Sequence, residues 1–120
     1  MCLYPKVLKF HTLNYHTQRL LTGSDDGQMK VYDVTHGTLV STLSGHKSWV
    51  LSVDFAPDNQ HFASGSADHT VKIWDGTAKQ CVHTFDQHVD QVWGVAYNHD
   101  GSKLCSVSED KSIHLYTIPV

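Results

Sequence analysis

Apolar and polar residues change places over short distances in this chain, and turn residues cut the pattern before a helix could form. The stretches "WVLSVDF" (49–55), "HFASGS" (61–66), "TVKIWD" (70–75) and "QCVHTF" (80–85) are rich in β-branched and aromatic residues. "PDNQ" (57–60) and "ADHT" (67–70) punctuate them as turns. Short runs of this kind between turn signals read as β-strands. No window sustains apolar residues at the 3.6-residue spacing of an amphipathic helix. The pattern predicts an all-β chain.

The pattern also repeats. "SDDGQMKVYD", "SADHTVKIWD" and "SEDKSIHLYT" begin at residues 24, 66 and 108, a constant step of 42 with no gap. In this register Thr22, Ser64 and Ser106 coincide, as do Asp26, Asp68 and Asp110, and the aromatics Tyr32, Trp74 and Tyr116. Upstream, His46 falls on His88, Val50 on Val92 and Phe55 on Tyr97. So many coincidences in one ungapped register mark a true repeat. Units of this length, holding four short strands with Gly-His and Trp-Asp landmarks, are the blades of a β-propeller.

The segment "SGHKSWVLSVDFAPDNQHFASGSADHTVKIWD" (44–75) resembles a WD40 repeat throughout. Gly45-His46, the "FAP" corner, "ASGSAD" and Trp74-Asp75 carry the likeness. The third unit resembles it with losses: Gln87-His88 replaces Gly-His, and Tyr116-Thr117 replaces Trp-Asp. The first unit matches well from about Gln18 onward, and residues 1–16 are atypical. The expected architecture is a partial WD40 propeller of about three four-stranded antiparallel blades. Their repeats are about 1–43, 44–85 and 86–120, and the last blade is expected to lack its outer strand. Closed propellers have roughly 4–8 blades. Three blades are therefore expected to be the C-terminal arc of a larger ring, met here as a fragment, an alternative transcript or an incomplete gene model.

Composition narrows the function. The formal charge is −3, with nine scattered Lys and Arg. That argues against a nucleic-acid surface, which needs a basic excess. The chain has no apolar run of membrane-spanning length, and its start has no apolar core of a secretory signal. Cys2, Cys81 and Cys105 are odd in number and show no CxxC spacing. A reducing compartment is expected. Cys81 and Cys105 fall on predicted strands, where free Cys behaves as a small apolar residue.

Ten histidines are the unusual feature. Ser64, His46 and Asp68 are also the residue types of nucleophilic catalysis. An active site needs one unique constellation with an open side, whereas this set returns with the repeat: His88, Ser106 and Asp110 in the third unit, Thr22 and Asp26 in the first. The WD40 resemblance implies instead a structural hydrogen-bonded clasp of His46, Ser64, Asp68 and Trp74. In the third unit Tyr116 offers a phenol for the indole, and in the first Tyr4 stands where His would be. A repeated buried polar set of this kind pins loops to strands, so no catalytic residue is expected. His69 reads as a turn residue. His11, His16, His36, His61, His83, His99 and His114 fit no metal-ligand spacing, and no metal or cofactor is expected.

Function is then expected on the loops of a rigid scaffold. The resemblance places Lys47, Trp49, Asp90, Gln91 and Trp93, with Asp25 and Glu109 from the turns, on the face that WD40 propellers use to bind peptides. Trp49 and Trp93 either anchor a partner or pack between blades. Asp54 lies outside this rim, toward the opposite end of its strand. Within the family, "LSGHKSWVLSVDFAPD", "CVHTFDQHVDQVWGV" and "SIHLYTIPV" resemble the C-terminal blades of WD-repeat subunits of superkiller and RNA polymerase II-associated elongation-factor complexes. That likeness implies a non-catalytic adaptor in RNA surveillance and transcription elongation, in nucleus and cytoplasm. Its implied partners are a tetratricopeptide scaffold, a helicase and elongation-factor subunits, without direct nucleic-acid or membrane contact. The alternatives are an adaptor of another complex, such as a ubiquitin-ligase substrate receptor, or a truncated product without independent function.

Overall fold

The computed structural model describes residues 7–14 as backbone and residues 18–118 with their side chains. Every regular element in them is a strand. Blade 1 is a four-stranded antiparallel sheet of β1 (Val7–Asn14), β2 (Arg19–Ser24), β3 (Gln28–Asp33) and β4 (Thr38–Ser44), paired in chain order. Blade 2 repeats it with β5 (Val50–Phe55), β6 (His61–Ser66), β7 (Val71–Asp75) and β8 (Gln80–Phe85). Blade 3 has three strands among the described residues, β9 (Val92–Tyr97), β10 (Lys103–Ser108) and β11 (Ile113–Thr117). This is the all-β partial propeller expected from the repeat.

The register repeats as faithfully as the sequence. Leu20 pairs with Tyr32, Phe62 with Trp74, and Leu104 with Tyr116. Because strand side chains alternate between faces, each blade has one face toward the preceding blade and one toward the following blade. Leu21, Met29, Val31 and Leu43 of blade 1 meet Val50, Val53, Phe62 and Trp74 of blade 2 in one buried cluster. Ala63, Val71 and Ile73 of blade 2 meet Val92, Val95, Leu104 and Tyr116 of blade 3 in a second. The core therefore lies between sheets. Fully burying a Val, Leu or Phe side chain stabilises by about 1.5–3 kcal/mol, so the junctions hold the arc together.

Two polar side chains of β5 add to the second junction. Ser52 Oγ accepts the Val95 N–H at 3.2 Å, and Asp54 Oδ2 accepts the Tyr97 N–H at 2.9 Å. Blade 2 thus satisfies part of the backbone of blade 3's inner strand. Burial pushes the Asp54 carboxyl up, and the N–H bonds from Tyr97 and Phe55 offset part of that. Asp54 is a junction residue, not the bystander its place outside the loop rim suggested.

The turns repeat too. Gly27, His69 and Lys111 all have left-handed backbone, with φ of 82°, 76° and 68°. Only the first is glycine, and a Cβ there would lie 2.5 Å from the His46 carbonyl oxygen. His69 is exposed at its turn, which leaves its ring free of that crowding.

Candidate functional site

Blade 2 assembles its polar set from three places. His46 sits in the loop before β5, Ser64 and Trp74 on β6 and β7, and Asp68 in the turn between those strands. His46 Nε2 lies 2.6 Å from Ser64 Oγ, and His46 Nδ1 lies 2.9 Å from Asp68 Oδ2. The Trp74 indole N–H donates to Ser64 Oγ at 2.9 Å. Indole nitrogen can only donate, which leaves the Ser64 proton available to His46 Nε2. Nδ1 then carries the ring proton and donates to Asp68. One neutral histidine tautomer satisfies the whole chain of bonds.

The loop is tied to the same carboxylate. Asp68 Oδ2 also accepts the Lys47 N–H at 2.9 Å, and Asp68 Oδ1 accepts the Thr70 hydroxyl at 2.5 Å. Ser66 Oγ donates to the Trp49 carbonyl at 2.7 Å, and that carbonyl also accepts the Ala67 N–H at 2.8 Å. The sequence reading missed Thr70 and Ser66. Their signal was available: Ser24, Ser66 and Ser108 recur in register, and Ser112 follows Thr70.

Blade 3 rebuilds the arrangement with different edges. His88 Nε2 lies 2.7 Å from Ser106 Oγ, and His88 Nδ1 lies 3.0 Å from Asp110 Oδ2. Asp110 also accepts the Val89 N–H at 3.0 Å and the Ser112 hydroxyl. Tyr116 takes the indole's place, its hydroxyl 3.3 Å from Ser106 Oγ. The His114 ring stands edge-on to His88, with centroids 4.5 Å apart.

Blade 1 differs. Thr22, Asp26 and Tyr32 line one cleft, and Asp26 Oδ1 accepts the Gln28 N–H at 3.0 Å. Tyr4, expected at the histidine position, lies outside the described residues.

Both clasp carboxylates are held ionised. Burial alone would push Asp68 up, but hydrogen bonds from His46, Thr70 and the Lys47 N–H outweigh it and hold the carboxyl well below the usual range. At Asp110 the Ser112 hydroxyl is the largest influence, burial opposes it, and the Val89 N–H and His88 add to the lowering. An unfolded Asp titrates near about 4. A carboxylate depressed in the folded state contributes stability that is present above that value and lost as pH falls below it. Melting temperature is therefore expected to drop as pH is lowered from about 4. The Asp68→Asn, Asp110→Asn double variant should melt lower at neutral pH and show a shallower acid decline. Parallel acid profiles for the two proteins would contradict this assignment.

The expected partner-facing residues sit around these clasps. Lys47 and Glu109 are exposed, and Asp25, Asp90 and Gln91 are half-buried. Asp90 Oδ1 accepts the Gln91 N–H at 2.8 Å, and Asp25 Oδ1 accepts the Ser24 hydroxyl at 3.4 Å. The Gln91 carbonyl accepts the Glu109 N–H at 2.9 Å. Trp49 lies in the pinned loop with its ring partly in solvent. Trp93 lies inside β9 rather than in the loop, and it is 45% exposed, whereas Leu51, one repeat earlier, is 2% exposed. Elsewhere His61 pairs with Asp58 and His36 with Asp33. Among the described residues no group of three or more His, Cys, Asp or Glu side chains is placed to hold a metal ion.

Repeated four-stranded blades with buried clasps and pinned loops define a β-propeller architecture. Comparison with known families matches WD40 (WD domain, G-beta repeat) at residues 7–33, 37–75 and 79–117, and the chain belongs to that family. The family consists in general of non-catalytic scaffolds that bind proteins. Among curated proteins, the chain is similar to Ribosome assembly protein 4 of Chaetomium thermophilum, 42% identical over 45 residues, covering 38% of this chain and 9% of that protein. It is also similar to Ribosome assembly protein 4 of Saccharomyces cerevisiae, 39% identical over 49 residues, covering 40% of this chain and 10% of that protein. Each match spans little more than one repeat, and about a tenth of the relative's length.

Proposed function

We propose that this chain is a non-catalytic adaptor whose loop rim binds a partner protein in complexes of RNA surveillance and transcription elongation, in nucleus and cytoplasm. The observation that carries the scaffold part is the closure of both clasps. Every side-chain polar atom of His46, Ser64 and Asp68 is engaged inside blade 2, while Lys47 and Trp49 beside them face solvent on a loop tied down at both ends. A rigid loop offering an aromatic ring next to charged groups suits a peptide with one apolar and one Lys or Arg side chain. The complex is supported by the sequence resemblance of residues 43–58, 81–95 and 112–120 described above. A second reading, a part in ribosome assembly, is favoured by the name of the two relatives.

Affinity purification of the tagged chain from cells separates the readings. A tetratricopeptide scaffold and a helicase in the eluate support the first, and pre-ribosomal particles support the second. On the recovered partner, Trp49→Ala is expected to cost about 2 kcal/mol, some thirtyfold in affinity, as loss of an aromatic hot spot does. Asp90→Lys should act mainly on association rate and salt dependence. Neither should move the melting temperature much. Normal binding by Trp49→Ala would remove the rim assignment at that residue.

A further inference from the structure

The two junctions differ at one place, at the far end of the strands from the clasps. Between blades 1 and 2 a cleft of about 220 Å³ is lined by Val31, Val40, Phe55, Asn59, Gln60 and Phe62. One repeat later the same place is a cavity of about 650 Å³, with Ile73, Val82, Tyr97 and Gly101 in its wall. The backbone runs past both in the same way: the Gly76 N–H donates to the Gln60 carbonyl at 2.8 Å, and the Ile118 N–H to the Ser102 carbonyl at 2.7 Å. Side chains account for the difference. Gly101 stands where blade 2 has Asn59, Ser102 where it has Gln60, and Leu104 where it has Phe62. All three are smaller.

One change goes the other way. Tyr97 stands where blade 2 has Phe55, and its added hydroxyl is buried with no hydrogen-bond partner among the described residues. A buried hydroxyl left unsatisfied is costly and rare in native structures. Burial pushes the phenol up, and the carboxylates of Asp58 and Asp54 add to that. Tyr97 therefore keeps its proton and has a hydrogen bond to give. Around it the wall is apolar, with Ala56, Ile73, Phe85 and Ile118. Toward solvent stand the exposed carboxylates of Asp58 and Asp100. Asp58 pairs with His61 at 2.6 Å, and Asp100 accepts the Ser102 hydroxyl at 2.6 Å. Among the described residues no Lys or Arg lines the cavity, although Lys103 donates to the Thr117 hydroxyl at 3.3 Å on one flank. A mostly apolar hollow of this size with a few placed polar groups has the form of a small-ligand site.

We propose that this cavity binds a small amphipathic cation: an apolar body, a hydrogen-bond acceptor at its inner end for the Tyr97 hydroxyl, and a positive charge at the mouth beside Asp58 and Asp100. The site lies at the opposite end of the blades from the loop rim, so it stands or falls independently of partner binding there.

Three matched probes test it by titration calorimetry on the intact chain. Para-methoxyphenethylamine carries both groups, para-ethylphenethylamine lacks the acceptor, and para-methoxyphenylpropanoate reverses the charge. The ether amine is expected to bind about fivefold more tightly than the ethyl amine, the gain from one neutral hydrogen bond. Its advantage over the carboxylate should be about tenfold, since exposed carboxylates act weakly. Tyr97→Phe should erase the first preference without lowering the melting temperature, because no partner is left behind. The Asp58→Asn, Asp100→Asn double variant should erase the second. Val82→Trp, on the edge strand β8 where Val82 is 48% exposed, should block all three probes. Should it melt early, Gly101→Asn replaces it: Asn59 holds the same turn position with the same left-handed backbone, φ 62° against 78°. That variant should weaken the ether amine at least about fivefold. No binding of the ether amine at millimolar concentration overturns the proposal. So does an ether preference that survives Tyr97→Phe, because the double-mutant cycle then shows no coupling. Tighter binding by a capped leucyl-lysine peptide than by the ether amine would assign the cavity to a peptide side chain and overturn the small-ligand assignment.

Discussion

Trp74→Ala is expected to be the most damaging single substitution in the chain, lowering stability by about 3–5 kcal/mol, the range for deleting a buried aromatic. Trp74 is almost fully buried and belongs to the junction between blades 1 and 2. Its ring stacks on Phe62 at a centroid distance of 6.4 Å and lies 6.2 Å from the His46 ring. Gly45 accommodates it: a Cβ there would be 2.8 Å from the indole edge. Alanine removes this packing and the N–H that satisfies Ser64. Trp74→Tyr should cost much less, because blade 3 already runs its clasp with Tyr116 3.3 Å from Ser106. Urea denaturation of both variants makes the comparison. A tyrosine variant as unstable as the alanine variant would show that indole packing, not the polar link, sets the cost.

The parts of this molecule that repeat were the parts legible in its sequence. Strand positions, turns and the register of Thr22, Ser64 and Ser106 follow from a pattern that occurs three times. Two kinds of feature escaped. The first is contact between blades, which has no local signature: Ser52 and Asp54 read as ordinary polar positions of a half-buried strand, yet they cap N–H groups one repeat further on. A charge reversal at Asp54 is consequently no neutral control for partner binding, since it would set an ammonium against the Tyr97 N–H. The second is departure from the repeat. Trp93 drew notice as an aromatic near a loop, but its strand position matches the buried Leu51. Val107 replaces a glycine whose role only the neighbouring blade reveals. A side chain's environment here depends on which blade follows, and a single strand does not encode that.

Ser64, His46 and Asp68 are the residue types of a nucleophilic triad. Their bonds run in the order of a nucleophilic triad: hydroxyl to Nε2, and Nδ1–H to carboxylate. Geometry alone does not separate the two roles, but the surroundings do. Ser64 is fully buried, and its Oγ already accepts the Trp74 indole N–H, which draws electron density from the atom that would attack. The arrangement recurs around His88 with equal closure. His46→Ala is therefore expected to act on stability, costing about 1–3 kcal/mol for each buried group left without its partner. Those groups are Ser64 and Asp68, with Asp68 keeping its bonds from the Lys47 N–H and Thr70. The loop that carries Trp49 should loosen with it, so amide exchange at Lys47 and Ala67 should speed up before the sheet itself opens. Urea denaturation, exchange at those two amides and labelling by a serine-directed fluorophosphonate check the assignment together. The expected outcome is a lower unfolding midpoint, faster exchange and no labelling of Ser64 in either protein. Labelling of Ser64 in the wild type that disappears in His46→Ala, at unchanged stability, would instead identify an active nucleophile.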